Sequence, residues 1–162
     1  MKKIVAILLL GVILISAAAM AEEYDPLLYC GTPHFHAYAP AQFERFTVDD
    51  SVGIKIGADN FTFKEIKLPM SLDQITDRYD MLFNTFRGGF AEGGELCASG
   101  EVNKGIRAKY EIFNKGVGLF GFGLFPGDGY LLAIAIYSDD FDIQTLEQNA
   151  IALLETVRPI IQ

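Results

Sequence analysis

The chain has only two histidines, and they stand together in Cys30-Gly31-Thr32-Pro33-His34-Phe35-His36. A spacing of two puts His34 and His36 on one side of an extended segment. With Cys30 they give three soft or borderline ligands within seven residues, the start of a zinc or copper site. No fourth ligand is specified. The chain's other cysteine is Cys97, and an even count in an oxidising compartment favours a Cys30–Cys97 disulfide. That bond would close a loop of about 67 residues and contribute roughly 4 kcal/mol in the chain-entropy account. It would also withdraw the Cys30 thiolate and reduce the metal set to the two histidines.

Other segments resemble sites without meeting their chemistry. Gly116-Val117-Gly118-Leu119-Phe120-Gly121 matches G-x-G-x-x-G. A dinucleotide site needs that string between a strand and a helix, whereas Phe122–Phe125 continue a strand. Gly88-Gly89 and Gly93-Gly94 frame Phe90-Ala91-Glu92. The glycines describe a mobile loop, with Phe90 as an exposed recognition tip beside Glu92. Asp139, Asp140 and Asp142 lack the calcium-loop spacing and suit a helix N-terminus instead. A nucleophile needs a base in reach. Both histidines sit in an irregular arm, no G-x-S-x-G occurs, and no carboxylate pair stands out. The expectation is a non-enzyme without a cofactor.

The first residues say where the protein works. Lys2 and Lys3 precede an apolar run over Ile4–Ile15, and Ala19-Met20-Ala21 is an A-x-A site. That order describes a secretory signal peptide over 1–21, with an apolar core shorter than the roughly 20 residues of a membrane span. The mature chain would begin at Glu22 and be periplasmic or extracellular. Lys2 and Lys3 are lost with the leader, so 11 of the 13 Lys and Arg remain against 21 Asp and Glu, a net charge of −10. Such a surface repels phosphate backbones and anionic lipid, which excludes nucleic acid as a partner.

The elements follow from periodicity. Residues 22–42 hold Pro26, Pro33 and Pro40 and read as an irregular arm. A single domain then spans 43–162. Phe43, Phe46 and Val48 lead into Val52, Ile54 and Ile56, and a second strand runs from Phe61 to Leu68. Ser71-Leu72-Asp73-Gln74 fits a capping box. The apolar stripe Leu72, Ile75, Tyr79, Leu82, Phe83, Phe86 predicts a helix over 71–87, stopped by Gly88-Gly89. Four strands follow from Glu95 to Tyr137. Val117–Phe125 and Tyr130–Tyr137 are almost wholly apolar, as strands in the middle of a sheet are. Gly121 and Gly123 would line up with Ala133 and Ala135 if the hairpin register allowed it, around a loop of three or four residues. A last helix over 145–157, with a capping box from Thr145 to Gln148, ends before Pro159. The order β-β-α-β-β-β-β-α predicts an α+β domain with an antiparallel sheet and two main helices.

With Ala98–Val102, Ile106–Ala108, Gly127–Gly129, Tyr130–Tyr137 and Ala150–Val157 in this order, the chain resembles the PsbP/Mog1-like α/β/α sandwich group. The resemblance covers Phe43–Ile160. It implies an accessory or binding protein, and carries over no functional residue because the group shares no catalytic motif. The reading is an exported, non-enzymatic binding protein for a protein or small apolar ligand. The aromatic side chains (13 Phe, 7 Tyr, no Trp) exceed what one helix face needs, and some would line a pocket between helix 71–87 and the sheet. Two alternatives are a periplasmic inhibitor or immunity-type protein for a basic partner, and a metal carrier using His34 and His36.

Overall fold

The structure, a computed structural model, describes residues 29–39, 42–103 and 106–160. The leader expected over 1–21 lies outside the described residues. Seven antiparallel strands form the central sheet: β3 (Glu44–Val48), β4 (Ser51–Ile56), β5 (Asp59–Lys67), β6 (Glu95–Asn103), β7 (Arg107–Asn114), β8 (Leu119–Gly127) and β9 (Tyr130–Ser138). Their order is β3-β4-β5-β9-β8-β7-β6, so the two most apolar strands are interior, as their composition requires. The fold class is α+β.

One face of the sheet carries the larger core. Ile54, Phe61, Phe63, Leu132, Ile134 and Ile136 pack under Leu146, Ala150, Leu153 and Leu154 of α3 (Ile143–Thr156). Beside α3 lies a three-stranded sheet of β1 (Tyr29–Gly31), β2 (Phe35–Tyr38) and β10 (Arg158–Pro159). The arm expected to be irregular therefore contributes two strands, and Phe35, Ala37 and Ala39 enter the main core. Its strands are too short to show period two among the prolines. Tertiary contacts hold them: the Tyr38 N–H donates to Thr156 Oγ1 at 3.0 Å, and the Ile160 N–H to the His34 carbonyl at 2.7 Å.

The other face is covered by α1 (Leu72–Asp77) and α2 (Tyr79–Ala91). The Ser71 capping box is formed. Ile75, Tyr79 and Phe83 bury themselves on Phe122, Leu124 and Leu131. The single helix expected over 71–87 is broken at Arg78, and it does not stop at Gly88-Gly89 but runs on to Ala91. The apolar spacing explains the extension. Phe90 continues the row 79, 83, 86, and its ring lies 5.1 Å from that of Phe122. The apolar area that Phe90 buries opposes the cost of the two glycines, about 1 kcal/mol each in a helix.

Three further boundaries differ. Asp49-Asp50 turns the chain between β3 and β4, so two strands stand where the apolar residues from 43 to 56 read as one. Asp49 has φ 50°, a conformation that aspartate tolerates better than most residues. The N-cap of α3 is Asp142 rather than Thr145, its carboxylate accepting from the Thr145 N–H at 3.1 Å. The β8–β9 loop holds two residues, since Gly127 pairs with Tyr130. Gly121 consequently pairs with Ile136 and Gly123 with Ile134, which puts the glycines and the alanines on opposite faces. Gly123 faces α3, where an added Cβ would lie 3.6 Å from the Leu154 side chain.

Candidate functional site

A cavity lies at the end of the sheet marked by the β8–β9 turn. It measures about 490 Å³, with apolar walls from Phe35, Leu72, Ile106, Tyr130, Pro159 and Ile160. Its polar side chains are His34 and Asp128. Both are held by their neighbours. Asp128 Oδ1 accepts the Leu72 N–H at 3.0 Å, which ties the turn to the first residue of α1. The Gly129 N–H donates to the Met70 carbonyl at 3.1 Å, and the Leu68 N–H to the Gly129 carbonyl at 2.8 Å.

His34 is anchored from β5. Its backbone N–H donates to Glu65 Oε1 at 2.6 Å, and its Nδ1 lies 2.8 Å from Glu65 Oε2. The Thr32 hydroxyl donates to the same carboxylate. The imidazole stacks on Tyr130, with centroids 3.8 Å apart and planes 19° apart. Burial pushes the Glu65 carboxyl upward. The hydrogen bonds from Thr32 and His34, with the His34 charge, outweigh it and hold the pKa below its ordinary value. An ionised carboxylate has no proton to give, so the network assigns a proton to Nδ1 of His34. Nε2, which makes no hydrogen bond among the described residues, is left for a ligand.

A separate groove of about 220 Å³ lies on the face that carries α1 and α2, between α2 and the part of the sheet that α2 leaves uncovered. Phe90 belongs to its wall. It is half-buried against Phe122 rather than the exposed tip the flanking glycines imply, and Glu92 beyond it is exposed. A pocket between this helix and the sheet was legible in the aromatic count, and Phe86, Phe90 and Phe122 line it.

Among the described side chains, His34 and His36 are engaged by different partners. His34 is engaged by Glu65, while His36 is directed at Tyr38, with ring centroids 6.2 Å apart. Among the described residues no three His, Cys, Asp or Glu side chains are grouped to hold a metal ion. Cys97 is a free thiol on the edge strand β6, its Sγ 3.3 Å from the Glu95 carbonyl oxygen. Cys30 lies on β1, where the backbone alone is described, and the expected Cys30–Cys97 disulfide is not formed here. Gly116–Gly121 spans the β7–β8 turn and the start of β8, with no helix after it. Glu65 was not singled out from sequence. It lies 31 positions from His34, and only the pairing of the arm against the sheet joins them.

No family model matches the chain, and no curated protein matches it. Among solved structures, the solution structure of cyanobacterial PsbP (CyanoP) from Synechocystis sp. PCC 6803 is similar with a TM-score of 0.55 at 10% identity, over 82% of this chain and 91% of that one. A crystal structure from Bacteroides thetaiotaomicron VPI-5482 aligns with a TM-score of 0.43 at 9% identity, over 79% of this chain and 46% of that one. No helix among the described residues is long and apolar enough to cross a membrane. A seven-stranded antiparallel sheet between a helical pair on one face and a helix with a small sheet on the other is thus a PsbP-like fold.

Proposed function

We propose that the protein is an exported, non-enzymatic binding protein that holds a small, largely apolar molecule in the cavity at the β8–β9 end of the sheet. The observation that carries this reading is the preset imidazole. His34 is fixed by Glu65 and Tyr130 at the wall of a roughly 490 Å³ apolar cavity, with Nε2 unused. Ligand sites combine such walls with a few held polar groups. A binding role is favoured because the described lining is mostly apolar and its two charged or titratable side chains, His34 and Asp128, are already held by structural contacts. The leader over 1–21 and the acidic mature surface support export.

A ligand-detected NMR screen of small apolar molecules against the wild type and Ile106→Trp tests it. Ile106 is a half-buried wall residue, and an indole there would project into the cavity and obstruct a ligand beside His34. Hits that bind the wild type and are lost in Ile106→Trp are expected. Hits that persist unchanged in that variant would place the ligand elsewhere.

A further inference from the structure

We propose a second binding site: the groove between α2 and the open part of the sheet takes an anionic amphiphile, a short alkyl or aryl carboxylate. The helical pair covers only part of its face of the sheet, and the step beside α2 forms a trough. Its floor is Ala133 and Ala135, whose side chains alternate onto this face of β9. Phe122 stands opposite Ala135 in the register, and Phe86 and Phe90 of α2 rise above it, so one wall is wholly aromatic. On the other side Thr62 pairs with Ala135 and Lys64 with Ala133. Thr62, Lys64 and Ser51 thus stand at the rim of an almost wholly apolar trough, where the long, exposed Lys64 side chain can bring its ammonium to a bound headgroup.

The sign of the charge identifies the ligand. The whole chain carries a net charge of −8, yet among the described residues no acidic side chain lines this groove. Lys64 is exposed and makes no ion pair among the described residues. An apolar body would lie on the alanines against the phenylalanine rings, with its carboxylate at Lys64 and Thr62. Charge-assisted hydrogen bonds of that kind are the strong ones at such a rim. A cationic amphiphile would bring its charge to an ammonium. This site shares no residue with the cavity that holds His34.

Calorimetric titration with octanoate, octylamine and octanol, read alongside methyl and aromatic NMR shifts, tests the assignment. Octanoate should bind, octylamine should not, and the shifts should map to Phe86, Phe90, Phe122 and Ala133. Lys64→Gln, an exposed substitution, should weaken octanoate about tenfold, as loss of one charged hydrogen bond does, and leave octanol unchanged. Ala133→Phe should abolish both. Equal binding of acid and amine, or octanoate binding indifferent to Lys64→Gln, would overturn the assignment. So would a solution dimer that buries Phe90 and excludes octanoate, because a second copy would then be the occupant.

Discussion

At the scale of single residues, two polar contacts far apart in sequence hold the cavity and the helices. Glu65 is the first. Its folded pKa lies below its unfolded value, so its stabilisation is fully present above the ordinary carboxylate range. That stabilisation is lost as pH falls through the depressed folded pKa. Glu65→Gln should lower stability at pH 7 by about 1–2 kcal/mol, the worth of hydrogen bonds to a charged acceptor. The loss should shrink as pH falls below the ordinary carboxylate range, where the unfolded chain takes up the Glu65 proton before the folded one does. Urea unfolding at pH 7 and at pH 3 measures both, and an equal loss at the two pH values would contradict the assignment. Tyr79 is the second. Its hydroxyl donates to the Leu124 carbonyl and accepts the Lys109 N–H at 2.7 Å, bridging β7 and β8 where their ladder begins. Burial pushes its phenol up, so it remains a donor at any working pH. Tyr79→Phe leaves both backbone groups without that partner and should cost about 1–3 kcal/mol in the same assay. Neither contact was visible in the sequence. Glu65 sits in an ordinary strand alternation and Tyr79 in an ordinary helix stripe, and their partners come from other elements.

At the scale of elements, strong periodicity made the long pieces legible. The four strands from Glu95 to Ser138, the interior place of β8 and β9 and the Ser71 capping box all follow from local sequence. Element ends set by tertiary packing did not. The clearest case is α2, which passes through Gly88-Gly89 so that Phe90 can meet Phe122. Both glycines are exposed with φ outside the left-handed region, and an added Cβ would meet nothing within 4 Å. Gly88→Ala and Gly89→Ala should therefore each stabilise the protein, by up to about 1 kcal/mol. A fall in the thermal midpoint of either variant would show that the last turn of α2 is not helical in solution. The strands of the arm were hidden for the opposite reason. They are short, proline-flanked and formed only because α3 and the main sheet offer a surface to pack on.

At the scale of the whole molecule, a PsbP-like sandwich carries a cavity at one end of its sheet. The α+β class was legible because the strand and helix periods are clean. The cavity was not, since it needs the arm, the β8–β9 turn, the start of α1 and the residues after α3 to converge. His34 was legible as a residue of chemical interest, and the structure shows it as a wall group of the cavity, fixed by Glu65 and Tyr130. The central claim, that this cavity holds a small molecule, is met most directly by native mass spectrometry of the exported protein. The wild type and Ile106→Trp would be compared without chelators or a histidine tag. The account predicts a chain beginning at Glu22, carrying one small organic molecule that the tryptophan variant lacks. A chain bare in both proteins, or an adduct retained by Ile106→Trp, would contradict it.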